Sequence, residues 1–298
     1  MRRILILGGN GMLGHKIWQV FKERYDTWIT VRKGHRVYAE YGLFDPNRIF
    51  GDVFVEDIDS VSRAIATVRP DVVINAIGII KQVPAASDII SSLTVNSLFP
   101  HRVATLCQIS GTRFIHISTD CVFSGRKGER YLESDIPDAD DLYGRSKLLG
   151  EVHVNGNLTL RTSLIGRELE TTNGLLEWFL NNRGGRVQGY TNSIFSGFPT
   201  IVLAQIIAEV IEKHADLSGV HHVSSEPISK YDLLGLIRDA YHIPIEIEPL
   251  PDIRIDRSLD ASNFNAVTGF APVSWHKMLD VMTDDPTQYE KWRNFNAV

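Results

Sequence analysis

Short runs of branched apolar residues recur along the first 165 residues, separated by longer segments with apolar positions at helical spacing. The short runs predict strands at residues 4–7, 28–31, 48–50, 72–74, 114–117 and 158–160. The longer segments predict helices at residues 11–21, 61–68 and 89–110. Because strands that alternate with helices are typical of parallel sheets covered on both faces, we expect an α/β fold with a doubly wound parallel sheet.

The alternation loosens after residue 165. Glycine and proline punctuate the chain up to residue 199, and helices are predicted again at residues 201–211 and 231–241, the second begun by Ser229. We predict that residues 1–165 form one domain, to which the chain returns around residues 186–223. Residues 166–298 are then mainly a smaller lobe, which packs over the carboxyl edge of the sheet and binds the substrate.

Composition narrows the class of protein. The 298-residue chain has 31 basic and 36 acidic residues and a formal net charge of −5, with no basic run, so we expect no nucleic-acid partner. The apolar amino terminus is too short for a secretory signal, and no run of about eighteen apolar residues predicts a membrane span. Two cysteines and no clustered histidines or carboxylates predict no metal site and a reducing, cytoplasmic location.

A glycine-rich turn follows the first predicted strand and opens the first predicted helix. Its residues have the form G-x-x-G-x-x-G and comprise Gly8, Gly9, Asn10, Gly11, Met12, Leu13 and Gly14. Glycine here allows a tight turn, close approach of a pyrophosphate to the backbone, and close packing of helix on strand. The helix amino terminus offers unpaired N–H groups to phosphates. The pattern predicts that residues 1–165 form a Rossmann-type NAD(P)-binding domain.

The end of the second predicted strand bears on which dinucleotide binds. An NAD site usually has an acidic residue there, whereas this chain has Arg32 and Lys33. Two cations can pair with the 2′-phosphate of NADPH, so we predict NADP as the cofactor, with NAD as the alternative. An exposed basic turn without a ligand is the other interpretation of these two residues.

The third and fourth predicted strands also end in residues that suit a dinucleotide. Asp52, followed by Val53, can accept a hydrogen bond from the adenine amino group. Ala76, Ile77 and Gly78 end the fourth strand with a largely small segment, against which a nicotinamide ribose can lie. Ordinary strand-end turns are equally compatible with both patterns.

Tyr143 and Lys147 have the spacing Y-x-x-x-K, which places both side chains on one face of a helix. An ammonium beside the phenol lowers its pKa from about 10, which suits proton exchange with a carbonyl. Thr119 lies just past a predicted strand, at the edge where parallel sheets bind ligands, and can bond the substrate oxygen. Asn96 is a candidate for organising the lysine, and we expect Asn96, Tyr143 and Lys147 to contact the cofactor as well. Solvated helix faces are the alternative interpretation.

These segments together resemble the extended short-chain dehydrogenase/reductase superfamily, and within it the dTDP-4-dehydrorhamnose reductase family. The resemblance covers nearly the whole chain and rests on the glycine turn and on residues 117–123, 143–151, 160–163 and 257–260. It implies that Thr119, Tyr143 and Lys147 form a catalytic triad, with Asp120 close to the sugar. The implied reaction is NADPH-dependent reduction of a nucleotide-linked 4-keto-6-deoxy sugar, in polysaccharide or deoxysugar biosynthesis.

The sequence departs from the family at two positions that line its sugar pocket. Cys121 stands where the family usually has tyrosine, and Leu164 where it commonly has tryptophan. The loss of two aromatic walls leaves room for a different or bulkier sugar, an N-acetylated one for example. The positions that we single out for substrate contacts are Lys81, Gln82, Asp120, Cys121, Leu164 and Arg257.

Two other functions stay open at this point. A nucleotide-sugar epimerase of the same superfamily needs only the same triad and a bound cofactor. A regulatory subunit that binds NADP without turnover is a role that some relatives adopt. A dehydratase is disfavoured because Cys121 occupies the place of its second acid–base group. The expected partner is a nucleotide-sugar, and a homodimer is compatible with the sequence.

Overall fold

The computed structural model describes residues 1–39, 42–81, 83–154 and 156–290. The strands in these ranges are β1 (Arg3–Leu7), β2 (Asp26–Thr30), β3 (Ile49–Phe50), β4 (Val72–Asn75), β5 (Arg113–Thr119), β6 (Leu158–Thr162), β7 (Leu164–Ile165), β8 (Arg186–Tyr190), β9 (Ser193–Phe195), β10 (Phe198–Pro199), β11 (Gly219–His222), β12 (Ile228–Ser229), β13 (Glu246–Leu250) and β14 (Ile255–Asp256). The helices are α1 (Gly14–Phe21), α2 (His35–Ala39), α3 (Ile58–Val68), α4 (Ile89–Ser92), α5 (Phe99–Ser110), α6 (Leu142–Leu149), α7 (Leu175–Asn181), α8 (Thr200–Lys213), α9 (Lys230–Ala240), α10 (Ser262–Thr268) and α11 (Trp275–Thr283).

A large sheet organises the described part of the chain. It contains seven strands in the order β11-β6-β5-β4-β1-β2-β3, and each neighbouring pair is parallel. The chain runs from β1 to β2 and β3 on one side, and then returns across β1 to β4, β5 and β6. The order therefore reverses between β1 and β4, whose carboxyl ends flank a crevice. The predicted doubly wound α/β fold of the Rossmann type is confirmed.

Two apolar layers cover the sheet, because successive side chains of a strand point to opposite faces. In β1, Ile4 and Ile6 belong to the core that includes α1 and α8, whereas Leu5 and Leu7 belong to the core that includes α3 and α5. All four side chains are fully buried. Burial on both faces explains why the strands read as continuous apolar runs in the sequence.

After β6 the chain alternates between the large sheet and a smaller lobe. The chain returns to the large sheet with α8, which packs against α1, and with β11, which pairs with β6. The lobe contains the three-stranded sheet β12-β9-β14, the pair β13-β8, and α9, which packs on that pair. β12 and β14 flank β9, so the residues that follow them, Lys230 and Arg257, lie on either side of one strand.

Several elements differ in extent from their predictions, and three of the differences bear on the site. The helix predicted at 11–21 begins at Gly14, because the preceding residues form a turn in which the Gly11 N–H donates to the Gly8 carbonyl at 3.1 Å. The helix predicted at 89–110 consists of α4, a π-helical segment (Leu93–Leu98) and α5. The strand predicted at 114–117 continues to Thr119. No described helix is long and apolar enough to cross a membrane.

Candidate active site

The glycine turn is built so that side chains are excluded from its inner side. Gly8 has a φ of +82°, and a Cβ there would lie 2.7 Å from Ile77 Cγ1. A Cβ on Gly14 would overlap the carbonyl oxygen of Gly8. At Gly11, by contrast, a Cβ would meet only the Gly8 oxygen, at 3.3 Å, so the space in front of this residue is open. Leu13 precedes α1 without a side-chain cap, and the His15 and Lys16 N–H groups donate to the carbonyls of Gly11 and Leu13.

The turn is fixed to the end of β2. The Gly9 N–H donates to the Thr30 carbonyl at 2.9 Å, and the Gly8 N–H donates to Thr30 Oγ1 at 3.2 Å. Arg32 and Lys33 follow β2 closely and are exposed. The two cations therefore lie beside the turn, as the sequence predicts. This geometry can accommodate a dinucleotide. The open space at Gly11 can take the pyrophosphate, and the two cations can lie beside the ribose that is attached to the adenine.

The turn after β3 approaches the same edge of the sheet. Asp52 is exposed and has a φ of +57°, a left-handed conformation that a non-glycine residue rarely adopts. Val53 is buried, and its N–H donates to the Val31 carbonyl at 3.2 Å. The two residues are therefore near the end of β2, and their contact with an adenine stays a prediction.

The segment after β4 is held by a buried asparagine. Asn96, in the π-helical segment, accepts from the Ile79 N–H at 2.9 Å and donates to the Ile79 carbonyl at 3.1 Å. It also donates to Ser146 Oγ on α6 at 3.1 Å. Ala76 and Ile77, beside Gly8, thereby have a fixed position relative to α6. Asn96 is not on a helix surface, which was the alternative interpretation; it is 1% exposed and connects the two halves of the site.

Gly78 brings the same segment close to the predicted catalytic lysine. A Cβ there would lie 3.4 Å from Asn96 Oδ1 and 3.9 Å from Lys147 Nζ. Lys147 is buried, and its Nζ donates to the Ile117 carbonyl of β5 at 2.7 Å. The sequence-predicted residues Gly78, Asn96 and Lys147 therefore meet.

Thr119 and Tyr143 come from the end of β5 and the first turn of α6. The Thr119 hydroxyl donates to Asp120 Oδ1 and accepts from the Cys121 N–H, both at 3.1 Å, and it lies close enough to the Tyr143 phenol to lower the pKa of that phenol. Asp141 caps α6 by accepting from the Gly144 N–H at 2.7 Å. A Cβ on Gly144 would overlap the Cys121 carbonyl oxygen, so only glycine lets α6 pack against this turn.

Burial is the main influence on both members of the tyrosine–lysine pair. It raises the pKa of the Tyr143 phenol above its usual value, and the carboxylates of Asp120 and Asp141 raise it further, whereas the Thr119 hydroxyl lowers it. Burial lowers the pKa of Lys147 to about 8. The prediction of a lowered phenol pKa is therefore wrong for this structure, because burial raises that pKa and the group that lowers it is Thr119 rather than Lys147. The phenol stays protonated at neutral pH and can donate its proton.

A buried ion pair lies near Lys147 and influences its charge. Arg161 of β6 makes a bidentate pair with Glu151, with distances of 2.8 and 2.7 Å, and Ser118 Oγ donates to the same carboxylate at 2.7 Å. The Glu151 charge raises the pKa of Lys147 and so opposes the effect of burial. The sequence reasoning missed Glu151 and Arg161, although both lie within the segments that carry the family resemblance.

Cations from three segments surround Asp120 and Cys121. Lys81 forms an ion pair with Asp141, and its Nζ is 5.6 Å from the centre of the Tyr143 ring. Arg257, after β14, donates from Nε to the Phe123 carbonyl at 2.7 Å. Lys81 and Arg257 therefore both reach the turn that carries Asp120.

Lys230, the first residue of α9, is the residue of this group that the sequence reasoning missed. Burial lowers its pKa, while the charge of Asp120 raises it and those of Arg257 and Lys81 lower it. Its side chain therefore shares the surroundings of Asp120. A single lysine at the start of a helix gives no signal in the sequence, because only the packing of β12 beside β9 brings it here.

Three further residues are predicted to contact the substrate, and the two that the structure describes lie in different environments. Cys121 is half-buried, and burial raises the pKa of its thiol to about 12, so the sulfur is not a thiolate at neutral pH. Leu164, in β7, pairs with Phe198 and packs against the core that includes α1, and its contact with a sugar stays a prediction. Gln82 lies outside the described residues. Among residues that are described, no group of three or more histidines, cysteines or carboxylates could hold a metal ion.

The model of the RmlD substrate binding domain family matches residues 1–287. The chain belongs to this family. The dTDP-4-dehydrorhamnose reductase of Aggregatibacter actinomycetemcomitans is 25% identical over 305 residues, which cover 94% of this chain and 97% of the reductase. Methionine adenosyltransferase 2 subunit beta of Danio rerio is 28% identical over 260 residues, 82% of this chain and 75% of that protein.

Solved structures have the same fold. The dTDP-4-dehydrorhamnose reductase of Bacillus anthracis, in complex with NADP, superposes with a TM-score of 0.77 at 23% identity and covers 94% of this chain and 98% of that structure. The resemblance inferred from the motifs is thereby confirmed. Membership of the RmlD family does not by itself decide the reaction, because relatives of this chain include both a reductase and a subunit of a methionine adenosyltransferase.

Proposed function

We propose that this protein is an NADPH-dependent reductase of a nucleotide-linked 4-keto-6-deoxy sugar. The observation that carries the proposal is the convergence of Thr119, Tyr143 and the buried Lys147 at the end of β5 and on α6, next to a glycine turn that is open toward the same edge of the sheet. A regulatory subunit without chemistry needs the turn but has no use for this constellation.

In the proposed reaction, a bound nicotinamide dinucleotide supplies the hydride. Tyr143, which stays protonated because burial raises its pKa, donates its proton to the sugar oxygen as negative charge develops there. Thr119 orients that oxygen with its hydroxyl, and the Asp120 carboxylate, which already accepts from Thr119, accepts from a sugar hydroxyl.

Lys147 has two roles in this proposal. Its ammonium, buried beside the segment that Asn96 holds, donates to the ribose of the dinucleotide. The Glu151–Arg161 pair beneath it keeps part of the lysine population charged at neutral pH, because the Glu151 carboxylate raises its pKa. The proton that Tyr143 gives up is then replaced from solvent, and the ammonium charge favours the phenolate until that happens.

The preference for NADPH rests on Arg32 and Lys33, which are exposed beside the glycine turn at a strand end without a carboxylate. Guanidinium and ammonium groups are the usual partners of a 2′-phosphate. We propose that residues 166–298 contribute most of the sugar site and that the protein acts in the cytoplasm. Lys81, Arg257 and Lys230 supply positive charge for a nucleoside diphosphate or its sugar.

The first test is direct turnover. Purified full-length protein is incubated with NADPH and a panel of dTDP- and UDP-linked 4-keto-6-deoxy sugars, while nicotinamide absorbance and sugar products are followed. Stoichiometric loss of NADPH with a reduced sugar supports the proposal. A changed sugar without net loss of NADPH supports the epimerase alternative.

The regulatory-subunit alternative is favoured by one observation, the similarity to methionine adenosyltransferase 2 subunit beta. Its signature in the same experiment is tight NADPH binding without turnover of any sugar in the panel. That result, repeated with sugars carrying an N-acetyl group, would contradict the reductase proposal.

A further inference from the structure

Glu170 lies against the glycine turn although it is far from the turn in sequence. Its Oε2 accepts a hydrogen bond from Asn10 Nδ2 at 2.9 Å, and Asn10 Nδ2 also donates to Tyr38 Oη at 3.2 Å. Its other oxygen, Oε1, lies 3.7 Å from Lys33 Nζ. That oxygen is buried and has no hydrogen-bond partner among the described residues. One carboxylate therefore lies between the glycine turn and the end of β2.

The backbone around Glu170 is held in place by other residues. The Asn173 N–H donates to Glu168 Oε2 at 2.7 Å, and the Glu168 N–H donates to Glu177 Oε1 at 2.9 Å. A Cβ on Gly174 would lie 2.9 Å from Met12 Cε, so this segment packs directly on the glycine turn. Removing only the charge of Glu170 therefore leaves the path of the chain unchanged.

We infer that Glu170 sets the discrimination between NADH and NADPH, by supplying from outside β2 the carboxylate that the end of β2 lacks. The inference rests on the proposed function. In NAD sites a carboxylate at the end of the second strand accepts from the ribose 2′-hydroxyl. Here Arg32 and Lys33 follow that strand, and Oε1 of Glu170 forms a long ion pair with Lys33. Because that oxygen is buried, a ribose hydroxyl donates to it where the exposed Lys33 side chain moves aside.

A 2′-phosphate meets the opposite situation. It pairs with Lys33 but brings further negative charge next to Glu170, and like charges at this range repel. Glu170 therefore opposes the preference for NADPH that Arg32 and Lys33 create, and the wild-type protein accepts both dinucleotides. Partial exposure of the pair, 52% for Lys33 and 22% for Glu170, makes this repulsion moderate.

The test is the equilibrium Kd of NADPH and of NADH for the full-length protein, measured by calorimetry without any sugar. Glu170→Gln keeps an acceptor for Asn10 and removes the charge. We expect the ratio Kd(NADH)/Kd(NADPH) to rise about tenfold, because NADPH binds more tightly and NADH loses a charged acceptor. Glu23→Gln, an equal charge change at an exposed residue beyond the far end of α1, should leave the ratio unchanged.

Two further measurements separate the electrostatic role from a structural one. Adenosine 2′,5′-bisphosphate and adenosine 5′-monophosphate should show the same change of ratio, which should shrink as ionic strength rises. A ratio that Glu170→Gln leaves unchanged, or equal weakening of both dinucleotides, overturns the inference while the proposed function stands. Failure of the wild-type protein to bind either dinucleotide contradicts the proposed function itself.

Discussion

The two sides of the proposed site differ in the kind of groups that form them. On the side that faces the proposed dinucleotide, the pyrophosphate cradle consists of backbone and glycine: a Cβ on Gly8 would meet Ile77, one on Gly14 would meet the Gly8 backbone, and one on Gly11 would fill the open cradle. The side that faces the proposed sugar consists of charged side chains from separate segments, among them Lys81 and Lys230.

This difference predicts how each side tolerates change. A backbone surface admits no larger residue without moving the strand or helix that carries it. A surface of long charged side chains can be altered one residue at a time, because its backbone packs elsewhere. We therefore expect the dinucleotide side to determine whether the protein is active, and the sugar side to determine which substrate it accepts.

The largest expected effect is at the glycine turn. Gly14→Ala should abolish dinucleotide binding and lower the free energy of unfolding by about 1–3 kcal/mol, because its Cβ overlaps the Gly8 carbonyl oxygen. Gly11→Ala is the matched variant, since its Cβ meets only one atom at 3.3 Å. It should weaken NADPH binding at least about tenfold with a nearly unchanged melting temperature. Equal stability losses in both variants would contradict the distinction between a packing glycine and an approach glycine.

A smaller effect is expected at Lys230. Lys230→Ala should raise KM for the nucleotide-sugar about tenfold, since a charge-assisted hydrogen bond is lost, and leave the Kd of NADPH within about twofold. Lys213→Ala, an exposed lysine at the end of α8, is the control and should change neither constant. A change in the Kd of NADPH at Lys230→Ala would show that the two sides are not separate.

The next effect in size concerns pH. Because burial lowers the pKa of Lys147 to about 8, the ammonium is present below that pH and is lost above it. If the ammonium holds the ribose, the Kd of NADPH should increase about fivefold between about pH 7 and about pH 9. In Lys147→Met the change of Kd with pH should disappear, and NADPH should bind weakly at every pH. A step that persists in the variant would assign it to another group.

The smallest effect is expected at Cys121. Its thiol has a pKa raised to about 12, so it takes no part as a thiolate. Cys121→Ser should change kcat by less than about twofold, and iodoacetamide should react slowly at neutral pH. Rapid loss of activity on alkylation, together with an inactive Cys121→Ser variant, would show that the sulfur does chemistry.

The fold and the centre of the site follow from local patterns. The apolar runs, the glycine turn and the pair Tyr143 and Lys147 lie within short stretches whose spacing already specifies a strand end or a helix face. Thr119 could be placed because parallel strands expose their carboxyl ends at one edge.

The rest depends on contacts between distant segments. Glu170 reaches Asn10, and Lys230 comes within electrostatic range of Asp120, only after the smaller lobe has packed, and neither residue lies in a recognisable pattern. The direction of the Tyr143 pKa could not be predicted either, because it depends on how deeply the phenol is buried rather than on its spacing from Lys147.

The most direct test of the account is Tyr143→Phe, which removes one oxygen and leaves the ring that packs at the start of α6. The account predicts that kcat for an authentic nucleotide-linked keto-sugar falls about a hundred- to ten-thousand-fold while the Kd of NADPH stays within about twofold. Full turnover by this variant would contradict the assignment of Tyr143 as the proton donor.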